Sequence, residues 1–231
     1  MTDVKCLVFD IEAGSLDPDR GKLYVFGYKW LGEKKVHTPS LLDHNKPCGC
    51  CGLMKLGERP LIKTAHAILS QADVLISFNG QTFDLPWLQS KFLRERLPAL
   101  GDLRHIDLYQ VARHKMRLTR KSLANISKYL RLKNQKTRLD FDVWGRAGEG
   151  DSKAMKYIRD HAAADVLVTE ELYTDYLRPL IKNHPFLFED RAPCRRCGGR
   201  MNRDKRIITL AGAVKVQYVC RKCGGYQTRA A

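Results

Sequence analysis

The first third of the chain contains several short, largely apolar runs, and these runs predict strands. Residues 4–9 are mostly apolar and are bounded by polar residues, as in a strand that is covered on both faces. Further strands are predicted over 22–30, near 35–38 and over 74–78. The first three strands follow one another closely, so they are expected to form an antiparallel meander.

Apolar residues at helical spacing dominate the later part of the chain. Helices are predicted over 62–70, 86–97, 122–130 and 152–180. Ser122 and Ser152 are suitable N-caps for the last two of these helices. Strands first and helices later predict an α/β or α+β fold, with a mixed sheet flanked by helices.

Two stretches interrupt this pattern. Residues 39–57 are rich in Gly, Pro and Cys and predict an insertion or a long loop. In that loop, His44 with two or three of the thiols of Cys48, Cys50 and Cys51 could bind a metal, but the CxCC spacing is poor for one zinc ion and favours a loop with incidental cysteines. Pro185 and residues 189–193 indicate a boundary, which divides the chain into domains 1–188 and 189–231.

Four carboxylates lie in predicted elements or directly next to them. Asp10 and Glu12 end the first strand, and because side-chain direction repeats every two residues they project to the same side. Asp84 precedes a predicted helix, and Asp165 lies within another. Clustered carboxylates are costly to bury unless cations neutralise them, and hard oxygen ligands suit Mg²⁺ or Mn²⁺. The pattern therefore indicates a nuclease that uses two metal ions.

His161 is the candidate general base. It precedes Asp165 by four residues, so the two side chains share one face of the predicted helix. A histidine next to the cations can accept the proton of the attacking water. Taken alone, His161 is more typical of a helix surface and Asp165 of a solvated or capping acid, so the assignment depends on the whole set of five residues.

The charge of the chain favours a polyanionic partner. The 231 residues contain 41 Lys and Arg against 25 Asp and Glu, a formal net charge of +16. Residues 191–231 contain 11 Lys and Arg and one Asp, a net charge of +10 that leaves +6 for the first 190 residues. A nucleic acid is the simplest partner for such an excess.

No stretch of the sequence approaches the roughly 20 apolar residues that cross a membrane. The first residues also lack the features of a secretory signal, so the expected location is cytoplasmic, without a membrane partner. In a reducing compartment, eight cysteines favour metal binding over disulfides.

Two CxxC pairs predict a zinc ribbon at the C-terminal end. A β-like segment, 206–219, separates the pairs, and two glycines follow each pair. Four thiolates at this spacing form a closed tetrahedral site, which is structural rather than catalytic. The predicted zinc ligands are Cys194, Cys197, Cys220 and Cys223. With Tyr218 and Tyr226 available for stacking, the ribbon is expected to hold nucleic acid, and docking of a protein is the alternative.

Three segments carry a resemblance to a known family. FDIEA, FNGQTFDLPWL and HAAADVLVTEELY resemble the three exonuclease motifs of the DEDD (DnaQ-like) 3′→5′ exonucleases, which have a ribonuclease H-like fold. HIDLYQVAR and KSLANISKYL are similar to the branch related to the exonuclease domains of family B DNA polymerases. The resemblance covers about residues 4–180.

The resemblance implies roles for individual residues. Asp10, Glu12, Asp84 and Asp165 would be ligands of two catalytic Mg²⁺ or Mn²⁺ ions, and the main chain after Glu12 would approach the 3′-terminal nucleotide. Asn79 and Phe83 would line the substrate groove. The same two residues are also typical of a turn-capping Asn and a core Phe, and both interpretations remain open.

The chain departs from the family at the general base. In the histidine branch the base precedes the last Asp by five residues, and in the tyrosine branch a Tyr precedes it by four. Here Asp160 stands at the histidine spacing and His161 at the tyrosine spacing. We assign the base to His161, because Asp160 points about a quarter-turn away from the face of Asp165. Tyr157 is the weaker candidate.

These observations together predict a metal-dependent 3′→5′ exonuclease that acts on single-stranded or frayed DNA, with one structural Zn²⁺ in the ribbon. A replication or repair protein is a further expected partner. Two alternatives remain open: an RNA 3′→5′ exoribonuclease, and a non-catalytic zinc-ribbon protein that only binds nucleic acid. Four clustered acids that repel phosphates disfavour the last alternative.

Overall fold

The computed structural model describes residues 4–43, 56–101, 103–137, 140–181, 194, 196–197, 199 and 201–230. The chain divides into two compact units, Met1–Leu180 and Ile181–Ala231. The predicted domain boundary at 188/189 falls among residues 182–190, outside the described residues, and stays a prediction. The loop with His44, Cys48, Cys50 and Cys51 also lies outside the described residues.

The first unit begins with two strands and continues with alternating helices and strands. In chain order its elements are β1 (Cys6–Ala13), β2 (Leu23–Trp30), α1 (Arg59–Leu69), β3 (Val74–Ser77), α2 (Asp84–Arg94), β4 (Arg104–Asp107), α3 (Leu108–Lys115), α4 (Leu123–Leu130), α5 (Phe141–Gly148) and α6 (Ser152–Glu171). A π-helical turn, Leu172–Leu177, and a 3₁₀ turn, Arg178–Leu180, follow α6.

The four strands form one mixed sheet in the order β2-β1-β3-β4. β1 and β2 are joined by a short turn and therefore pair antiparallel, whereas β3 and β4 each follow a crossover and pair parallel. β1 thus lies inside the sheet, with hydrogen bonds to a strand on each side. The predicted mixed sheet flanked by helices is confirmed.

The long helix α6 packs across β1, β2 and β3. Gly27 permits a close approach, because a Cβ at this position would lie 3.2 Å from Val166 Cγ2 and 3.3 Å from Ala162 Cβ. Gly27 is paired directly with Asp10 on β1. Since opposite residues on neighbouring strands share a face, Asp10 also projects toward α6.

A buried ion pair fixes the β1–β2 turn to the helices. Lys91 of α2 is 2% exposed, and its Nζ donates to Glu58 Oε1 at 2.5 Å and to the carbonyl oxygen of Gly21 at 2.7 Å. The other Glu58 oxygen accepts from the N–H of Leu23 at 2.8 Å. Because Lys91 would be an uncompensated buried charge without Glu58, the pair fixes the turn in place.

Several predicted elements differ from the observed ones. The third strand is absent among the described residues, where only isolated bridges join Tyr28 to His37 and Val25 to Ser40. The helix expected over 86–97 begins two residues earlier, at Asp84, and ends at Arg94. The α-helix expected over 152–180 ends at Glu171 and continues as the π and 3₁₀ turns.

One predicted cap is confirmed and one is wrong. Ser122 Oγ accepts from the N–H of Asn125 at 3.3 Å, as predicted for the N-cap of α4. The N-cap of α6 is Asp151 instead of Ser152, and its carboxylate accepts from the N–H groups of Lys153 and Ala154. An Asp oxygen reaches two N–H groups of the first turn, so the helix starts one residue earlier than the Ser152 cap would place it.

The second unit contains a three-stranded antiparallel sheet, which we call the ribbon, in the order β5-β6-β7. Its strands are β5 (Met201–Ile208), β6 (Val214–Cys220) and β7 (Tyr226–Ala230). Met201, Cys194 and Cys220 form a buried cluster in this unit, and Val216 of β6 is buried as well. Among the described residues of both units, no helix has the length and apolarity of a membrane span.

Candidate active site

Asp10, Glu12 and Asp84 converge where β1 meets the start of α2. The Oδ1 atom of Asp84 accepts from the main-chain N–H of Ile11 at 3.0 Å, which places this acid between the two acidic residues of β1. Asp84 is the first residue of α2, where the positive end of the helix dipole favours a negative side chain.

A second acid, Asp107, holds the turn that precedes Asp84. Asn79 in this turn has a φ of 68°, a left-handed conformation that Asn adopts more readily than most residues. The Asp107 carboxylate accepts from the N–H groups of Asn79 at 2.9 Å, Gln81 at 3.1 Å and Tyr109 at 2.9 Å. Sequence reasoning missed Asp107, although an Asp directly before the helical pattern of α3 is a recognisable N-cap.

Helix α6 brings His161 and Asp165 to the same place, as their spacing predicts. Both side chains are 2% exposed. Nε2 of His161 lies 3.7 Å from Glu12 Oε1 and 3.8 Å from Asp165 Oδ2. The ring packs edge-on against Trp144, and its Nδ1 is hydrogen-bonded to Thr137 Oγ1. The five predicted residues therefore come together from three elements.

The other two candidates for the base lie elsewhere on α6. Asp160 is exposed and forms an ion pair with Lys156 at 2.6 Å. Tyr157 is partly buried and packs against the hydrophobic core. Neither contact involves a carboxylate of the site.

Lys136 is a member of the site that sequence reasoning missed. Its Nζ forms a hydrogen-bonded ion pair with Asp165 Oδ2. The ammonium group also lowers the pKa values of Asp10 and Glu12, which opposes the effects of burial and of the other acids. Glu171 positions the loop that carries Lys136 by accepting from the N–H groups of Lys133 and Asn134.

Burial and mutual repulsion raise the pKa of three of the acids. The pKa of Asp10 is held well above its ordinary value by burial first and then by Asp84, Glu12 and Asp165. Burial, with Asp165, raises the pKa of Glu12 to about 8. Burial raises the pKa of Asp84 to about 7, although the N–H of Ile11 lowers it. Cations that bind here would displace protons.

The donor set fits a divalent cation. One ligand atom each from Glu12, His161 and Asp165 lie within 4.8 Å of one another. Asp165 Oδ1 is buried without a hydrogen-bond partner in the described part of the chain. Leaving such an atom unpaired costs about 1–3 kcal/mol, which a cation at this oxygen would offset. Asp84 is close enough to raise the pKa of both Asp10 and Glu12, and Asp10 and Asp84 would complete an oxygen-rich site.

Two cavities flank the acids. The first, of about 510 Å³, is lined by Asp10, Asp165 and Lys136 together with Asn79 and Lys121. The second, of about 490 Å³, is lined by Glu12 and the residues that follow it, and by the rings of Tyr24, Phe83 and Trp144. Asn79 and Phe83 therefore lie at different cavities, Asn79 at the one lined by Asp10 and Asp165 and Phe83 at the one lined by Glu12.

The wall of the first cavity belongs to a strongly basic segment. Residues 113–136 contain nine Lys and Arg and no Asp or Glu. Two of these residues, Lys121 and Lys136, line the cavity, and the remaining seven are exposed. Two cations of this segment thus lie in the same cavity as Asp10 and Asp165, where a phosphate chain would need them.

The four predicted zinc ligands cluster in the ribbon. Their sulfur atoms lie within 4.8 Å of one another. Hydrogen bonds from the N–H groups of Cys223 and Lys222 lower the pKa of the Cys220 thiol to about 6, which favours the thiolate that zinc binds. These four thiols could hold one zinc ion in a closed structural site.

Removing two of these thiols should remove one metal ion. The variant Cys194→Ser/Cys223→Ser is expected to contain one equivalent of zinc less than the parent chain, as measured by elemental analysis after desalting. Cys6→Ala is the matched control, because Cys6 is buried in β1, where its pKa is raised to about 11. Equal zinc contents in the double variant and the parent would contradict the assignment.

Comparisons with known proteins agree with the fold. None of the curated proteins matches the chain. A solved structure of the family B DNA polymerase from the hyperthermophilic archaeon Pyrobaculum calidifontis is similar, with a TM-score of 0.57 and 17% identity. The similarity covers 74% of this chain and 24% of the polymerase chain, so the fold alone is shared with about a quarter of that protein.

The family comparison covers most of the first unit. The family model RNase_H_2, described as RNase_H superfamily, matches residues 7–177. This match includes the sheet, all five predicted site residues and Lys136. Members of this superfamily are generally nucleases that use divalent metal ions. The chain belongs to the RNase H superfamily.

Proposed function

We propose that the chain is a metal-dependent 3′→5′ exonuclease that removes nucleoside 5′-monophosphates from single-stranded or frayed DNA. The observation that carries the proposal is the meeting of Asp10, Glu12, Asp84, His161 and Asp165 between two cavities, with one oxygen of Asp165 buried and unpaired. Such a cluster is unfavourable by itself and becomes favourable when it holds cations next to a phosphate.

The carboxylates of Asp10, Glu12, Asp84 and Asp165 would hold Mg²⁺ or Mn²⁺. When bound, these ions would stabilise the negative charge that develops on the phosphate during hydrolysis. The chain itself contributes the fixed positions of the acids, because β1 is bonded on both sides and the main chain of Ile11 holds Asp84.

His161 suits the role of general base. Burial lowers its pKa, so the imidazole is neutral near pH 7. With Nδ1–H donating to Thr137, Nε2 is free to accept the proton of the attacking water. The water oxygen bonds to phosphorus, and the bond from phosphorus to the 3′ oxygen of the preceding nucleotide breaks. The departing 3′ oxygen takes a proton from solvent water, so the shortened strand keeps a 3′ hydroxyl, and the terminal nucleotide leaves as a 5′-monophosphate.

The shape of the site supports a single strand. Asp84 and Asp165 are only 3% and 2% exposed, so the scissile phosphate must approach closely. A flexible strand can do so more easily than a stiff duplex. The basic segment 113–136 would contact the phosphates that lead into the first cavity.

The second cavity suits the terminal nucleotide. The main chain after Glu12 and the rings of Phe83 and Trp144 offer surfaces for a sugar and a base. The 3′ polarity follows the resemblance to DEDD exonucleases. DNA is preferred over RNA in this proposal because the solved structure with the similar fold is a DNA polymerase.

The test is digestion of 5′-labelled DNA and RNA strands of matched sequence with Mg²⁺ or Mn²⁺. The DNA strand should give a ladder of shortening labelled products, and a 3′-terminal phosphate should slow its digestion, because the pocket next to Glu12 is expected to accept a free 3′ hydroxyl. Immediate release of a labelled mononucleotide would mean attack from the 5′ end. Faster digestion of RNA would favour an exoribonuclease, and a folded protein that cuts neither strand would be a binding module.

A further inference from the structure

The hairpin between β5 and β6 ends in an exposed apolar tip. Relative to a fully exposed residue of the same type, Leu210 is 111% exposed, Ile208 76% and Val214 46%. Leu210 and Ile208 are among the three most exposed large apolar residues in the described part of the chain. In water these side chains gain nothing from burial within the ribbon. An apolar group that a fold presents in this way is typical of a contact with a partner.

The tip is an ordered turn. The N–H of Thr209 donates to the carbonyl oxygen of Ala213 at 2.9 Å, and the N–H of Gly212 donates to that of Thr209 at 2.8 Å. The Thr209 hydroxyl accepts from the N–H of Ala213 at 3.1 Å. Gly212 has a φ of 77°, which few other residues tolerate. The apolar side chains are therefore carried on a closed turn that costs little further entropy to place against a partner.

Cationic side chains lie directly behind the tip on both faces of the hairpin. Ile208 pairs with Val214 at the end of the ladder, and Arg206 pairs with Val216 on the same face. Lys215 lies on the opposite face, paired with Ile207. Farther from the tip, Arg203 pairs with Tyr218. The apolar tip therefore lies directly next to positively charged side chains.

The chemistry of this surface identifies one class of partner. The net charge of +10 over residues 191–231 favours a polyanionic partner. The apolar tip favours a partner with an apolar surface next to its negative charges. Unpaired nucleobases offer such faces beside their phosphates, whereas the bases inside a duplex are covered by stacking. Leu and Ile side chains at protein tips are able to insert between base steps in this manner.

We propose that the tip of the β5–β6 hairpin, formed by Ile208, Leu210 and Val214, contacts unpaired bases at an open duplex end, while Arg203, Arg206 and Lys215 contact the adjoining phosphates. The choice of a nucleic acid as the partner rests on the proposed function of the first unit. A duplex end opened in this way is the substrate that a recessed single-strand site requires.

Binding is measured with the full chain carrying Asp10→Asn, so that the probe is not digested. The probe is a short DNA duplex with 2-aminopurine in its terminal base pair, whose fluorescence rises when the base unstacks. The parent should raise this fluorescence on binding. Leu210→Ser together with Ile208→Ser should abolish the rise and weaken binding by about tenfold or more, as loss of one base contact does.

Two matched variants accompany the tip variant. Leu93→Ser removes an equally apolar side chain that is 62% exposed on α2, and it should behave like the parent. Leu210→Trp enlarges the apolar tip and should tighten binding to the open end. A zinc content equal to that of the parent shows that the ribbon of a variant is intact. If the double variant loses zinc, the single variant Leu210→Ser is used in its place.

Several outcomes would overturn the proposal. One is a tip variant that binds the open duplex as tightly as the parent and raises the fluorescence equally. Another is an equal loss of affinity for a duplex whose ends are closed by loops, since that probe has no open end. Vesicles of phosphatidylglycerol and phosphatidylcholine test a lipid surface, and loss of vesicle binding alone would assign the tip to a membrane. None of these measurements involves cleavage, so a failure of the tip proposal can be distinguished from a failure of the nuclease proposal.

Discussion

Replacement of Asp10 by Asn is expected to lower the rate of strand cleavage by about 10³-fold or more, because a lost metal ligand removes several kcal/mol of charge stabilisation. Asn keeps the size of the side chain and removes its charge. Turnover is measured with 5′-labelled DNA at saturating Mg²⁺. Asp142→Asn is the control, because that carboxylate is 84% exposed on α5.

The same variant should be more stable than the parent when Mg²⁺ and Mn²⁺ are absent. Asp10, Glu12 and Asp84 have raised pKa values in the folded state, so they bind protons more tightly there than in the unfolded chain. The stability that this contributes is complete below their ordinary pKa values of 3.8 and 4.5 and is lost as the pH rises through about 7 and 8. The gain from Asp10→Asn should therefore be larger at pH 8 than at pH 5.

Thermal unfolding measures this gain in stability. The Tm should rise by roughly 2–4 °C for each kcal/mol of repulsion removed. Asp84 is a poorer choice for the experiment, because its loss also leaves the N–H of Ile11 without its acceptor. A folded Asp10→Asn protein that turns over within a few-fold of the parent would refute the assignment of the site.

Replacement of His161 by Ala is expected to slow cleavage by about 10²–10⁴-fold, the usual contribution of a general base. The parent should lose activity as the pH falls through the pKa of His161, which burial places below its ordinary value of 6.5. That acidic limb should be missing from the profile of the variant. The readout is the pH dependence of turnover at fixed Mn²⁺.

Two controls separate His161 from its neighbours on α6. Asp160→Asn changes the residue at the histidine spacing of the family, and it should have little effect because Asp160 is exposed and paired with Lys156. Tyr157→Phe should be similarly mild. A larger loss from Tyr157→Phe than from His161→Ala would reverse the assignment, and weaker Mn²⁺ binding in His161→Ala would make His161 a ligand instead of the base.

The acidic part of the site could be predicted because each acid lies on a regular element. Alternation along β1 places Asp10 and Glu12 on one side, and the four-residue spacing on α6 places His161 beside Asp165. These are local rules, and local rules can be applied to a sequence without knowing the fold. The same rules predicted β1, β2, β3 and the main helices to within a few residues.

The parts that escaped prediction are set by contacts across the chain. Lys136 and Thr137 belong to an irregular segment with no periodicity, and they meet residues 29 and 24 positions away. β4 has only four residues, and α5 contains two glycines, which weaken any helical signal. Only the folded structure reveals that the ammonium group of Lys136 lies next to the acids.

Gly27 limits how accurately this site can be assembled. The acids face each other across two layers, with Asp10 on the sheet and Asp165 on α6, and Gly27 is a point of close approach between these layers. The space at Gly27 is slightly smaller than a methyl group needs, since an added Cβ would lie 3.2 Å from Val166 Cγ2. A residue without any chemistry of its own therefore sets the distance between the acids. A larger side chain at this position would move α6 away from the sheet and misalign the site, although none of the acids had been replaced.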